Sequence, residues 1–286
     1  MSLEFTKHTN SYHPPLPHYN KIKIALVLGG GGVKGLAHVG VLEELANAGI
    51  KPDMIIGCSA GAIIGALYAD NPDINHLKAI LLGMIRDDLL DISLANLPFG
   101  LSSGSALQQF LNTQLHAKTF EELKIPFVVV ATNLEFGDLV TFGTGPLEPA
   151  IRASAAFPGV FLPIQIEDQY FVDGGVVNAV PVEVAKKLGA EFVIAVDLSG
   201  DLPDTLPTHM LGILKRSLEI SYNHQSNWAA KKADYVIKVP FKGVDTFDDG
   251  INEHVYELGR KAGRAVIDDL RSRLRLKNKL KRKTYW

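Results

Sequence analysis

Short apolar runs alternate with amphipathic segments along most of this chain. Residues 22–28 (IKIALVL) and 127–131 (FVVVA) are almost entirely apolar, which is typical of strands buried on both faces of a parallel sheet. Residues 33–48 instead repeat their apolar positions at helical spacing and are followed by Gly49, which predicts a helix with a glycine after its last turn. With a second strand at 54–56, the chain begins with a predicted strand–helix–strand unit and a right-handed crossover.

The rest of the chain continues this alternation. Further strands are predicted at 139–143 (antiparallel to the strand before it), 170–172, 192–196 and 235–239. Further helices are predicted at 62–68, within 73–117 on either side of a loop at 98–100, at 149–156, from Pro181 to Gly189, at 209–232 and at 251–274. We therefore predict an α/β fold with three α/β/α layers around a mostly parallel central sheet.

Both terminal segments differ from this pattern, so we divide the chain into an arm at 1–21, one catalytic domain at 22–270 and a tail at 271–286. The arm is polar, with three prolines and three histidines among its first 20 residues, and it lacks the apolar core of a signal peptide. We interpret it as a loose arm or a surface strap, with metal binding by the histidines as the alternative. The tail carries eight Lys and Arg and no acidic residue. It is either a solvated, frayed terminus or a peripheral contact with an anionic membrane.

Composition restricts the function classes. The 286 residues are 47% hydrophobic and 21% charged, which is ordinary for a soluble enzyme, and the formal net charge of −2 argues against nucleic acid as a partner. The single cysteine, Cys58, cannot form an internal disulfide, and a free thiol suits a reducing compartment such as the cytoplasm. Residues 54–69 carry no charge, but they are too short for a membrane span and contain three glycines.

A glycine loop follows the first strand. Residues 30–35 (GGGVKG) match the dinucleotide-binding pattern G-x-G-x-x-G. The second strand, however, ends without the acidic residue that binds ribose, and no Gly-Lys-Ser/Thr triplet of a phosphate-binding loop is present. Consecutive backbone N–H groups at the start of a helix still form an anion site, which could receive the oxygen of a tetrahedral intermediate. Lys34 either adds positive charge there or lies exposed on the first helical turn.

The second motif is G-x-S-x-G at residues 57–61 (GCSAG), between an apolar strand and an apolar helix. A serine at such a corner is held on a tight turn with its Oγ accessible, which makes Ser59 a candidate nucleophile for acyl transfer. The alternative is a corner of small residues that lets the helix pack on the strand. We interpret Cys58 as a small buried neighbour rather than a second nucleophile.

The candidate base is an aspartate. Among the histidines, only His224 and His254 come late enough in the chain for a hydrolase triad, and both lie in predicted helices, where we expect them on the surface. His38 lies in the first helix and is expected to be packed. Asp173 instead ends the strand at 170–172 and is followed by two glycines. Catalytic groups of open α/β sheets gather at the carboxyl ends of strands; a plain β-turn is the alternative interpretation.

The three motifs occur in the order and context of the patatin-like phospholipases, which the chain resembles over roughly residues 22–200. Residues 153–159 (ASAAFPG) resemble a further signature of that family. Gly29 stands where many plant members have an aspartate, a departure that is seen in bacterial-type relatives.

This resemblance implies a patatin-like fold and a catalytic dyad without histidine. Ser59 would be the nucleophile, Asp173 the base, and the amides of Gly30, Gly31 and Gly32 the oxyanion hole. The supporting residues would be Lys34, Gly35, Gly57, Gly61, Gly174 and Gly175. The implied activity is lipid acyl hydrolysis through an acyl-enzyme, on an acyl lipid or ester, with neither metal nor cofactor.

Three alternatives stay open. The chain could be a patatin-like regulator or adaptor whose esterase activity is weak or incidental, because fold does not fix function. A dinucleotide-binding oxidoreductase is the other enzymatic alternative. The apolar segment 89–101 could form a lid or an acyl-chain contact, or it could belong to the core.

Overall fold

The computed structural model describes residues 8–19, 21–84, 86–91, 100–202, 204–242, 244 and 250–283, without the side chains of 86, 211 and 278–283. The predicted loop at 98–100 lies outside these residues except for Gly100, and so does most of the segment 89–101. No described helix contains an apolar run long enough to cross a bilayer.

One mixed sheet forms the centre of the protein. Its strands among the described residues are β1 (Ile24–Leu28), β2 (Met54–Cys58), β3 (Phe127–Asn133), β4 (Leu139–Phe142), β5 (Ile164–Ile166), β6 (Gln169–Asp173), β7 (Phe192–Asp197) and β8 (Tyr235–Lys238). The order across the sheet is β5-β6-β3-β2-β1-β7-β8, and β4 pairs with β3 outside this path. The strands predicted from apolar runs are confirmed, whereas the short strand β5 was not predicted.

The five neighbouring strands β3, β2, β1, β7 and β8 run parallel to one another. On the other side of β3, neighbouring strands pair in the antiparallel sense. β1 pairs in parallel with both β2 and β7, β2 with β3, and β7 with β8. β4 and β6 both pair with β3 in the antiparallel sense, and β5 pairs with β6 likewise. The predicted antiparallel return at 139–143 is therefore confirmed.

Helices cover both faces of the sheet. Their bounds are α1 (Ala37–Asn47), α2 (Ala60–Asp70), α3 (Ile74–Leu82), α4 (Ser105–Gln114), α5 (Leu147–Ala155), α6 (Gly175–Asn178), α7 (Val182–Lys187), α8 (Met210–Ala230) and α9 (Asn252–Lys283). Alternate residues of each central strand belong to two separate apolar clusters: α1, α2, α5 and α9 complete one, and α7 with the end of α8 completes the other. The predicted three-layer α/β/α architecture follows directly from this two-sided burial.

The first helix differs from its prediction at its beginning. A 3-10 helix spans Gly32–Leu36, and the α-helix begins only at Ala37. The predicted glycine at the other end is confirmed, because Gly49 has a φ of 72°, in the left-handed region that glycine adopts without strain. The short helix α6 was not predicted.

Helices α1 and α9 cross at very short range. A Cβ on Gly40 would lie 2.3 Å from the carbonyl oxygen of Tyr256, and one on Gly259 would lie 2.0 Å from that of Ala37. Glu44 of α1 adds ion pairs to two arginines of α9, at 3.2 Å from Arg260 and 2.8 Å from Arg264. Glycine at both positions is what allows the two backbones to touch.

The described part of the arm, 8–19, lies against the β6 side of the sheet. The Tyr12 N–H donates to Gln169 Oε1 at 2.7 Å, and Gln169 Nε2 donates to the Asn10 carbonyl at 2.8 Å. Asn133 Nδ2 donates to Ser11 Oγ at 3.2 Å. These bonds favour the surface strap over a loose arm for this part.

Candidate active site

Ser59 occupies a sharp corner between β2 and α2. Its backbone has φ 52° and ψ −123°, a left-handed conformation that costs a non-glycine residue about 1–3 kcal/mol. Such strain persists only when the surroundings hold it, and here the buried Ser59 N–H donates to Ser154 Oγ at 2.9 Å. The corner therefore presents the side chain at the end of a central strand, at the beginning of a helix, as the G-x-S-x-G pattern predicts.

Glycines make this corner possible by allowing backbone segments to approach closely. A Cβ on Gly61 would lie 2.1 Å from the Leu28 carbonyl oxygen, and one on Gly57 would lie 2.6 Å from Ala62 Cα. A Cβ on Gly35 would lie 2.5 Å from the Ala60 Cβ, where the glycine loop packs on α2. These three of the five predicted supporting glycines thus have a steric reason to be glycine.

Asp173 reaches Ser59 by a route that the sequence reasoning did not foresee. β6 runs antiparallel to β3, so the carboxyl end of β6 points away from the edge where the parallel strands end. The register resolves this, because Asp173 lies opposite Ala131 while Cys58 of β2 lies opposite Val130. The end of β6 is therefore level with the end of β2, and the expectation that Asp173 lies there because parallel strands end there was wrong.

The Asp173 carboxyl is fully buried, and burial raises its pKa to about 7, although the neighbouring Ser59 side chain and the Gly175 N–H act in the opposite direction. The Gly175 N–H donates to Asp173 Oδ1 at 2.7 Å. Oδ2 is buried and accepts no well-aligned hydrogen bond from the described residues. The predicted turn at Asp173 is therefore present. It uses only Oδ1 of the carboxylate, and Oδ2 takes no part in it.

Two further glycines crowd this turn. A Cβ on Gly174 would lie 2.5 Å from the Val130 carbonyl oxygen, and one on Gly175 would lie 2.7 Å from the ring of Tyr222. Thr132 Oγ1 also donates to the Asp173 carbonyl at 2.9 Å. The backbone around the carboxyl is therefore held by residues of one strand, β3, and one helix, α8.

The end of α5 holds both halves of the site. Ser154 binds the Ser59 amide through its side chain and accepts the Gly174 N–H at its carbonyl, at 3.3 Å. Two residues later, the Ala156 carbonyl accepts the Asp173 N–H at 3.0 Å. The sequence marked 153–159 only as a family signature, and its spacing alone gave no indication that Ser154 links the two residues.

The three amides of the predicted oxyanion hole differ in their hydrogen bonds. The Gly30 N–H already donates to the Ala179 carbonyl at 2.9 Å, so the expectation that it faces an oxyanion does not fit this conformation. The Gly31 and Gly32 amides border the cavity beside Ser59, and neither donates to another described residue. His38 is buried, and its Nε2 donates to the Gly29 carbonyl at 2.8 Å, so this histidine supports the loop from behind.

Lys34 and Cys58 are both buried beside the loop. Lys34 is only 7% exposed, which excludes the exposed alternative, and its Nζ lies 5.6 Å from the centre of the Phe241 ring. Cys58 is fully buried as expected, and burial, followed by the charge of Asp173, raises the pKa of its thiol. A protonated thiol is a poor nucleophile.

A cavity with a volume of about 190 Å³ opens beside Ser59. Much of its wall is apolar and comes from the elements around α2 and α3, including Leu36, Ile63, Ile64, Leu81, Met84 and Leu107. Leu89 and Leu90 also line it, so the described beginning of the segment 89–101 contacts the cavity.

A second wall of the cavity is polar and comes mainly from α8. Glu219, Tyr222, Asn223 and Ser226 line the cavity at helical spacing. The Tyr222 hydroxyl is buried without a hydrogen-bond partner among the described residues. Its pKa is raised by burial and then by the charges of Asp173 and Cys58, so the hydroxyl stays protonated beside the carboxyl.

The other candidate groups lie elsewhere. His224 and His254 are exposed on α8 and α9, as expected. Within the described ranges, no three His, Cys, Asp or Glu side chains lie close enough together to hold a metal ion. His8 contacts the backbone of Asp168 at 3.1 Å instead.

Comparisons with known proteins agree with this geometry. A family model described as patatin-like phospholipase matches residues 26–186, which include Ser59 and Asp173. Among solved structures, VipD from Legionella pneumophila superimposes with a TM-score of 0.60 at 14% identity, over 88% of this chain and 67% of that one. This likeness shows the three-layer fold.

Two sequence relatives are informative. Human patatin-like phospholipase domain-containing protein 6 is 28% identical over 279 residues, which cover 85% of this chain and 20% of that protein. An uncharacterized NTE family protein of Mycobacterium tuberculosis is 34% identical over 180 residues, which cover 62% of this chain and 49% of that protein. The chain thus spans between a fifth and a half of the length of these relatives.

Proposed function

Because the chain belongs to the patatin-like phospholipase family, we propose that it is a lipid acyl hydrolase that acts through Ser59 and Asp173. The observation that carries this proposal is the carboxyl of Asp173, buried beside the strained Ser59 with a pKa raised to about 7. An ordinary aspartate is too acidic to be an effective base at neutral pH, whereas a value near 7 suits that role.

The proposed reaction has two steps. Ser59 Oγ attacks the ester carbonyl while its proton passes to Asp173. The bond from the carbonyl carbon to the alcohol oxygen then breaks, and the departing alcohol takes the proton from Asp173. Water next attacks the acyl-enzyme and gives a proton to the same carboxylate, which releases the fatty acid and returns Ser59 to its hydroxyl form.

Negative charge develops on the carbonyl oxygen in both steps. The amides of Gly31 and Gly32 are its proposed donors, helped by the amino end of α2, which begins at Ala60. Loss of one such donor typically reduces kcat by about 100- to 1,000-fold. Gly30 contributes by bonding to Ala179, which fixes the loop.

The two walls of the cavity support an amphipathic substrate. A long acyl chain can lie along the apolar wall from Ile63 towards Leu81, while a polar headgroup lies against the α8 wall. A simple short ester would leave much of this apolar surface unused. Phospholipids or lysophospholipids are therefore the proposed substrate class.

A fluorophosphonate probe and an ester panel test this proposal. The probe should label the wild-type protein but not Ser59→Ala, and wild type should hydrolyse long-chain lysophospholipids faster than short-chain esters. Asp173→Asn should retain the fold and lose hydrolysis. A folded wild-type protein that neither reacts with the probe nor hydrolyses any ester would instead support a regulator or adaptor.

A further inference from the structure

Helix α8 has its polar and apolar faces reversed. Glu219, Tyr222 and Ser226 point towards the cavity, whereas Met210 and Ile213 are exposed. At 3.6 residues per turn, the outward apolar residues of α8 fall within an arc of about 120°, opposite the residues that line the cavity. A surface helix normally turns its apolar side to the core, so the outward side of α8 requires another explanation.

The outward side carries several large exposed apolar side chains, which we call the docking face, with the exposed Ser217, Ser221 and His224 between them. Met210 is 79% exposed, Trp228 72% and Ile213 55%. The complete docking face consists of Leu206, Met210, Ile213, Leu214, Ile220 and Trp228. Large exposed apolar patches of this kind mark interaction sites with proteins or membranes.

The charges of α8 favour a lipid surface. Its single acidic residue, Glu219, is buried, whereas Lys232, just beyond its end, lies 5.4 Å from the Trp228 ring and also pairs with Glu183. Tryptophan beside lysine is typical of the boundary between lipid and water. Asp201 and Asp204 precede the face in the chain, so apolar contact rather than charge should dominate binding.

The docking face is continuous with the cavity wall. Leu214 Cδ2 lies 3.6 Å from the position that a Cβ on Gly159 would take. Gly159 lies between Phe157 and Phe161, both of which line the cavity. A surface bound to the docking face would therefore lie next to the cavity.

We propose that the docking face binds the surface of a phospholipid bilayer and presents the cavity to lipids within it. The choice of a bilayer over a second copy of the chain rests on the proposed function, because an acyl lipid must pass from a membrane into the cavity. The helix itself would lie in the plane of the interface.

The basic tail is the rival membrane contact, and three of its basic side chains are already bonded within the protein. Arg271 donates to the Ala48 carbonyl at 2.8 Å, and Lys277 pairs with Asp234 at 2.6 Å. Arg273 pairs with Asp269 at 3.3 Å. These contacts fix the beginning of the tail as part of α9.

The two tryptophans of the chain, Trp228 and Trp286, distinguish the two surfaces. Trp286→Phe leaves Trp228 as the only indole, and Trp228→Phe leaves Trp286. With vesicles of phosphatidylcholine and phosphatidylserine, the Trp228 emission should shift to shorter wavelength and be quenched by brominated acyl chains. A bound protein in which Trp286 responds and Trp228 does not would overturn the proposal in favour of the tail.

Substitutions supply the second test. Met210→Ser with Ile213→Ser should weaken vesicle binding at least about tenfold, because each removes a large apolar side chain from the contact. The control is Leu276→Ser, since Leu276 on α9 is 57% exposed and thus comparable with Ile213 at 55%; it should leave vesicle binding unchanged. Equal binding by the double variant would overturn the proposal.

The same double variant separates this proposal from the proposed function. Labelling of Ser59 by fluorophosphonate and hydrolysis of a soluble short-chain ester should match wild type, while hydrolysis of vesicle lipid should fall. If the wild-type protein is not labelled by fluorophosphonate, the proposed hydrolase function is refuted. The vesicle-binding assay would then still decide whether the docking face binds a bilayer. A wild-type dimer that the double variant converts to a monomer, without vesicle binding by either protein, would assign the face to a second copy.

Discussion

Replacing Asp173 by asparagine should make the protein more stable at alkaline pH while removing its activity. The gap between a pKa of about 7 in the folded protein and 3.8 for an ordinary aspartate corresponds to about 4 kcal/mol of free energy of unfolding. Because burial raises the folded-state pKa, this penalty is absent below the ordinary value. It grows as pH rises between the two values and is complete above about 7. Asparagine has no charge to bury, so it escapes the penalty.

Urea denaturation at two pH values measures this effect. At about pH 5 the variant should exceed wild type by roughly 1.5 kcal/mol, and at about pH 8.5 by roughly 4 kcal/mol. The side-chain carbonyl oxygen of the introduced asparagine can still accept the Gly175 N–H, so the local turn is retained. The exposed Asp138 supplies the control, because Asp138→Asn should show no such pH-dependent gain.

Equal stability of Asp173→Asn and wild type at both pH values would refute the reasoning. It would mean that the carboxyl is solvated or paired in solution, and that burial does not prepare it as a base. A variant that gains stability but retains ester hydrolysis would leave the electrostatics intact and remove Asp173 from the proposed mechanism.

Further outcomes follow from the same geometry. The kcat/KM of wild type should rise with pH and level off above about 7, because the base must be ionised; a flat profile from about pH 5 to 9 would contradict this. Ser154→Ala should lower kcat about 5- to 150-fold with little change in KM, because an unpaired buried amide costs about 1–3 kcal/mol; an unchanged rate of fluorophosphonate labelling would count against it. Gly61→Ala should lower Tm, since its Cβ would lie 2.1 Å from a backbone oxygen, whereas Gly83→Ala, with 3.6 Å of space, should not. Replacing His224 or His254 by alanine should change kcat/KM less than about tenfold, and a larger loss would indicate a conventional triad.

Most of the fold could be predicted because the central strands are buried on both faces and therefore read as apolar runs. Residues 127–131 and 192–196 are examples. The strand β5 was not predicted because, at the edge of the sheet, two of its three residues are only half-buried and Gln165 is exposed, so no apolar run is needed. The helix α6 has four residues, too few for a helical period to appear.

The candidate site was less predictable than the motifs suggest. Ser59 could be located because its position depends on local sequence, a strand followed by a helix. The position of Asp173 depends on how β6 pairs with β3, which is a long-range register that no local pattern encodes. The Gly30 amide is likewise occupied by a hydrogen bond to the carbonyl of Ala179, which is distant in sequence. Local motifs indicated the candidate residues. Long-range pairing determines where their side chains lie and which of their backbone amides are free to bind a ligand.

The contact between α1 and α9 at Gly40 and Gly259 also has a consequence for biosynthesis. A ribosome releases the amino-terminal residues first, at about 5–20 residues per second. Helix α1, which directly follows the glycine loop, therefore emerges many seconds before the segment 252–283 that covers its outer side. A nascent chain holds both Ser59 and Asp173 long before this support arrives, and the candidate site gains its final rigidity only when the closing helix leaves the exit tunnel.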